Sequence, residues 1–545
     1  MMEARQDMDD LDVIIRNGRI VTAAEILPAG VEIGVKDGKI RCLSKHLQAG
    51  PETQVVDAEG AYITPGGVDS HVHIQQDNSP TGDTWETGSR SAIAGGNTTV
   101  IAFATQNRQE ASIWPALHAY HEKATGNSYC DYGFHVILTN PTESVLQEEL
   151  PQLVSKEGIS SVKIYMTYEP MKLGDGDIFE IMMRARSLGI TTMIHAENND
   201  MIQAITKRLA KHNNTDSFFH SIARPQIAES EATYRAISLA EVTNTPILLV
   251  HMSSPVAVQH VSSAQQRLLP IHAETCPHYL YLLSHRLRSG PDDFEGAKSI
   301  CAPPLRHSPK DLEQIWMGLA NGTFTVVSSD HAPAMHDHAC GKMKGMTTDE
   351  NGKVCKDFRN VPNGLPGMET RLPLLFDRTF DPGRPSGGFE DDRIRISLPR
   401  FVELTSTNPA KLYGLGGRKG SLLPGFDADI VIWYPEDGPL VSRSEADGPV
   451  SGSQEDAGKR KGKITITNSM LHHRIDYTPF EGIEVRNWPR WVFLRGKLVW
   501  DRGNGGVAGC KGDGMFLKRG KSTLLTGQMG RGANGMMKDE SSYWN

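Results

Sequence analysis

Between residues 98 and 333 the chain repeats one pattern: a short apolar run, then a longer stretch whose apolar positions recur every three or four residues. The runs are TTVIAFAT (98–105), DYGFHVILTN (131–140), SSVKIYMTY (160–168), TTMIHAEN (191–198), TPILLVHMSS (245–254), LPIHAETCPHY (269–279) and TFTVVSSDHAP (323–333). Between them DIFEIMMRARSLG (177–189) and AESEATYRAISLAEVTN (228–244) carry helical spacing. With AYITPGGVDSHVH (61–73) the runs number eight. Strands alternating with helices predict a parallel sheet. Eight such units over residues 66–410 predict an α/β fold, a (β/α)8 TIM-like barrel.

At both ends the period changes to two. Residues 11–65 alternate apolar and polar positions around Asn-Gly and Asp-Gly pairs, the short-range hairpin signal. The alternation returns in KGSLLPGFDADIVIWYP and WPRWVFLRGKLVWDRG. Residues 11–65 and 411–505 are therefore expected to complete one smaller β-sandwich domain, split in sequence by the barrel. A Gly-, Ser- and charge-rich loop is expected at 436–463, and residues 506–545 read as a flexible tail or a strap onto a neighbouring subunit.

Bulk properties narrow the function classes. A length of 545 residues is enough for one large and one small domain. The net charge of −8 gives no attractive field for nucleic acid or anionic membrane. The lone basic run GKRKGK (458–463) reads as a solvated surface. The first twenty residues lack the apolar core of a signal peptide, and no stretch is long and apolar enough to span a membrane. Seven scattered cysteines without a CxxC pair favour a reducing compartment, so a cytoplasmic location is expected.

Chemistry enters where polar residues end the apolar runs. In a barrel of this kind reactions take place at the C-terminal ends of the strands. The first run ends with His71 and His73, whose i, i+2 spacing puts both imidazoles on one face of a strand. The fifth ends with His195, the sixth with His251 and the eighth with Asp330. One such histidine is usually a hydrogen-bonded structural residue, and one aspartate a helix cap. Five at the same end of one barrel point instead to metal ligation. Lys163 lies inside SSVKIYMTY, where an inward ammonium is costly unless paired. It either snorkels to solvent or bridges a carboxylate, or its neutral amine adds CO2 and becomes an anionic carbamate able to bridge two metals.

GGVDSHVHI, SVKIYMTY, TTMIHAEN, LLVHMSS and VVSSDHAP, in this order, resemble the metallo-dependent amidohydrolase superfamily and its hydantoinase/dihydropyrimidinase branch. HAETCPHYL (272–280), PPLR (303–306), VPNGLPGMETRLPLL (361–375), STNPAKLYGL (406–415) and DYTPFEGIEVRNWPRWVFLRGKLVW (476–500) extend the resemblance, closest to fungal dihydropyrimidinases, over residues 12–520.

The resemblance implies two divalent metal ions, usually zinc. His71, His73 and Asp330 would bind one and His195 and His251 the other, with a carboxylated Lys163 and a hydroxide bridging them. It implies Tyr168 as the donor to the substrate carbonyl oxygen and Asp330 as the proton carrier. It also implies Asn363 and main-chain groups near Ala302 as contacts to the ring amide. Taken alone, Tyr168 reads equally as a packing residue at the barrel mouth, and Asn363 as part of an Asn-Gly turn. The implied reaction is hydrolytic opening of 5,6-dihydropyrimidines to N-carbamoyl-β-amino acids, in a homo-oligomer, commonly a tetramer.

Three positions depart from the pattern. Gln75 and Gln76 stand where an acidic residue is usual, DNSPTGDTWETGSR (77–90) is unusual for the branch, and Ala302 replaces a frequent serine. These leave the metal ligands untouched and bear on the ring substituents accepted. The lack of an arginine near Gln75 argues against dihydroorotate as substrate. Hydantoins, allantoin or cyclic imides are the alternative substrates of the same chemistry. A non-catalytic, dihydropyrimidinase-like oligomeric scaffold is the alternative from another class, and retention of all six ligand types speaks against it.

Overall fold

The computed structural model describes residues 10–77, 79–348, 354–382, 395–435 and 463–524. The anticipated 436–463 loop lies outside the described residues except for Lys463, as does the tail beyond residue 524.

Eight parallel strands form one sheet in sequence order: Gly67–Val72, Asn97–Thr105, Asp131–Ile137, Ser161–Tyr165, Thr191–His195, Ile247–Leu249, Ile271–Thr275 and Val326–Val327. The sheet curls until its first and last strands meet at a bridge between Val72 and His331. His73 N donates to His331 O at 2.7 Å across this seam, and Ser329 N donates to the Asp69 carboxylate at 3.0 Å. Arg371, with no exposed surface, spans the same seam, donating to Val327 O and to the Asn97 side chain.

Strand parity sorts the side chains into two layers. Val162, Ile164, Ile194, Ile247, Leu249, Ile271 and Ala273 pack outwards with the helices. Phe103, Tyr165, Met193, Leu248 and Val250 fill the barrel interior. The helices between the strands begin and end as their sequences dictate. Asn198 accepts from Met201 N to cap Asn199–Lys211, and Ser254 accepts from Ala257 N to cap Pro255–Gln266, with proline in its first turn. Asp175–Leu188 stops at Gly189, whose φ of 72° suits glycine at a helix end.

Two further sheets draw on both ends of the chain. Val13–Arg16, Glu32–Lys36, Lys39–Ser44 and Gln54–Asp57 form a four-stranded sheet. Arg19–Ile20, Tyr62–Pro65, Ile430–Trp433, Pro489–Leu494, Lys497–Asp501 and Gly506–Val507 form a six-stranded one. Val13, Ile15, Ile33 and Val35 of the first share a buried cluster with Ile63, Ile430, Ile432 and Phe493 of the second. The Asp37-Gly38 pair makes the expected tight hairpin, both residues at positive φ.

The tail begins later than its composition suggests. Past the Gly506–Val507 strand, residues 515–520 lie against the chain's own barrel: Leu517 is fully buried, its N–H donating to Tyr132 O at 2.7 Å. Arg519 reaches the barrel floor, where it donates to Phe134 O and, at 2.9 Å, to the Ser161 hydroxyl.

Candidate active site

The C-terminal ends of the strands surround a cavity of about 280 Å³. His71, His73, His195, His251, Asp330, Tyr168, Ala302 and Asn363 all line it. Lys163 lies just beneath, with no exposed surface. Every candidate residue read from the sequence is therefore at one place.

His71, His73 and Asp330 each offer a ligand atom, and these atoms lie within 4.8 Å of one another. The Asp330 carboxylate is 3.2 Å from His71 Nε2 and 3.5 Å from His73 Nε2. Beside them the rings of His195 and His251 sit edge to face, centroids 4.4 Å apart, and His251 is 5.4 Å from His71. The backbone is strained where these groups are presented: φ is 40° at His251, 46° at Asp330 and 67° at Tyr168, the left-handed region that side-chain-bearing residues avoid.

Burial sets the protonation states. It holds His71 and His251 well below the usual histidine range and lowers His195, with the Lys163 charge adding to the effect on all three. Neutral imidazole is the form that binds metal. Burial also pulls Lys163 downwards against the attraction of Asp330 and Glu274. Its Nζ has no hydrogen-bond partner, and among the described residues no carboxylate lies within ion-pair distance of it. Neither bland reading of this lysine, solvent exposure or a carboxylate bridge, describes it. An orphaned amine among neutral histidines and a carboxylate suits a metal-bridging carbamate, and the donor set fits two divalent cations.

Sequence reading missed the groups behind these. Glu274, on the seventh strand, accepts from or donates to His71 Nδ1 at 2.7 Å according to its proton, and burial pushes its carboxyl upwards. This contact orients His71 so that Nε2 faces Asp330. Glu274 has the same inward parity as Lys163, which is the signal that could have found it. Glu197 lies 2.7 Å from His195 Nε2 and binds Arg224 at 2.5 Å. Against burial, which would raise it, Arg224 and His195 hold Glu197 down to about 2.

On the facing wall Asn363 donates its amide N–H to the Tyr168 hydroxyl oxygen at 3.0 Å. With that lone pair engaged, the phenolic proton is free to point into the cavity. Burial pushes Tyr168 up to about 12, so it remains a donor at any working pH. The two unusual glutamines separate: Gln75 turns away to accept from Trp85 N at 3.0 Å, whereas Gln76 lines the cavity, 3.5 Å from the Thr105 hydroxyl.

Barrel, strand-end histidines and aspartate together define a hydrolase of the metal-dependent barrel class. Residues 62–499 match the Amidohydrolase family, and the chain belongs to it. Within the family it is 37% identical to a D-hydantoinase of Ralstonia pickettii, over 94% of this chain and 99% of that protein. It is 32% identical to a D-phenylhydantoinase of Escherichia coli, over 93% and 98%. The crystal structure of dihydropyrimidinase from Brevibacillus agri NCHU1002 superposes with a TM-score of 0.80 at 33% identity, covering 94% of this chain and 99% of that one.

Proposed function

We propose that this protein is a metal-dependent cyclic amide hydrolase that opens the 5,6-dihydropyrimidine ring, as in dihydrouracil or dihydrothymine, to an N-carbamoyl-β-amino acid. The observation that carries the proposal is the single cavity into which four histidines, Asp330, Tyr168 and Asn363 converge. His71, His73 and Asp330 would hold one divalent ion and His195 and His251 a second, zinc being the choice for this donor set, with Lys163 as a carbamate completing the set. When bound, the two cations lower the pKa of water and polarise the substrate carbonyl.

The chain's own groups supply the rest. Tyr168, fixed by Asn363, donates to the carbonyl oxygen as negative charge develops there. Main-chain groups at Ala302 and Asn363 meet the ring amide and hold it in register. Asp330 takes the proton of the attacking water and passes it to the ring nitrogen as the C–N bond breaks. Tyr168→Phe is expected to lower kcat by about a hundredfold or more, the usual cost of one oxyanion donor. Its metal content should match wild type, and unchanged turnover would remove Tyr168 from this role.

Ring choice is tested by rates on dihydrouracil, hydantoin, 5-phenylhydantoin, allantoin and a simple cyclic imide with one enzyme preparation. The expected order has dihydrouracil fastest. A hydantoin at least about tenfold faster would retain the mechanism and reassign the substrate. None of the seven cysteines is in a disulfide, in keeping with a cytoplasmic location. A homotetramer is the assembly we take for this enzyme, on its likeness to the hydantoinase branch.

A further inference from the structure

The wall opposite the histidines is made of two irregular segments, residues 300–303 and 362–364, and buried side chains occupy most of its carbonyls. Cys301 O accepts from His220 at 2.7 Å, and Pro303 O accepts from the Tyr279 hydroxyl at 2.6 Å. Three more carbonyls converge on one ammonium. Lys342 Nζ donates to Ile300 O at 2.9 Å, to Pro362 O at 2.7 Å and to Gly364 O at 2.7 Å. Gly364 N also donates to Ile300 O at 3.1 Å, so the two segments meet where the lysine sits. Among the described residues, nothing in the chain bonds the main-chain N–H or C=O of Ala302 or Asn363. These are the two wall residues at which substrate main-chain contacts are proposed, and both line the cavity.

Lys342 has no exposed surface, and its segment abuts an apolar cluster that includes Phe294, Ile300, Phe358 and Val361. Burial pushes its ammonium down to about 7. Three acceptors demand three donors, which only the protonated amine offers. A buried charge without a carboxylate partner is kept for a reason, and here each of its protons fixes one carbonyl of the substrate wall.

We propose that Lys342 is a positioning residue that sets the spacing between the Ala302 and Asn363 segments, and so governs ring binding more than the hydrolytic step. This rests on the reading of the cavity as a cyclic amide site. Lys342→Met keeps an unbranched apolar stem, one heavy atom shorter, and removes all three donors, whereas Lys342→Gln keeps two and serves where the first variant folds poorly.

The expected result for Lys342→Met is a KM for the preferred ring raised about tenfold or more, with kcat within about threefold and metal content unchanged. Lys342→Gln should fall between it and wild type. Hydrogen exchange tests the clamp without reference to turnover: peptides covering 298–305 and 360–367 should exchange faster in both variants, while those covering 131–137 should not change. Wild-type KM together with wild-type exchange in these peptides would overturn the proposal, as would loss of metal from the folded variants. If the wild-type enzyme opened none of the rings, the functional reading would fall while the exchange result still decided the clamp.

Discussion

Lys163→Ala is expected to lose roughly a thousandfold of the ring-opening activity, the scale of several kcal/mol of metal charge stabilisation at about 1.4 kcal/mol per tenfold. The size of the effect follows from where the amine lies. It is buried and without a hydrogen-bond partner, and its charge acts on His71, His195 and His251 at once. As an ammonium it would repel the cations that those histidines fit. As a carbamate it would be an anionic ligand placed between the two halves of the cluster. Partial recovery with a short carboxylic acid plus metal would distinguish a missing bridging carboxylate from a collapsed core. A fully active alanine variant would contradict a two-metal centre.

Metal removal is the second large effect. Chelation is expected to abolish turnover to below about a thousandth of the starting rate and to lower Tm, because a ligand that binds only the folded chain stabilises it. Stripped of metal, the cluster keeps several buried donors without partners, including the amine of Lys163 and the Nδ1 of His251. Readdition of zinc with bicarbonate should restore both activity and Tm, bicarbonate supplying the CO2 from which the proposed Lys163 carbamate would form. An unchanged rate after complete stripping would refute the metal role of the histidine cluster.

The barrel was legible because strands buried on both faces read as continuous apolar runs. TTVIAFAT, SSVKIYMTY and TTMIHAEN contain the strands Asn97–Thr105, Ser161–Tyr165 and Thr191–His195 to within one residue at their starts. The candidate histidines and Asp330 were legible because each interrupts such a run at its end, and Lys163 because it puts a charge inside one. AYITPGGVDSHVH looks like one strand but is two. Tyr62–Pro65 pairs in the six-stranded sheet and Gly67–Val72 in the barrel, and the chain changes sheets at Gly66, where an added Cβ would clash with the Thr98 side chain.

Groups that act through partners distant in sequence were not legible. Glu274 acquires meaning only beside His71, 203 positions away. Lys342 stands in the polar stretch GKMKG, which reads as an exposed loop until the carbonyls of residues 300, 362 and 364 are brought to it. The contacts of residues 515–520 were not legible for the same reason. A stretch rich in glycine and basic residues has little core-forming power on average, yet one leucine and one arginine, Leu517 and Arg519, suffice to seat it on the barrel floor.

The central claim is a two-metal hydrolytic centre, and metal titration into the stripped enzyme tests it most directly. Bound metal per chain and the rate of dihydrouracil opening would be measured at each addition of zinc in the presence of bicarbonate. The expected result is activity that rises with bound metal and levels off at two ions per chain. Full turnover in a metal-free chain, or a plateau reached with one ion per chain or fewer bound, would contradict it.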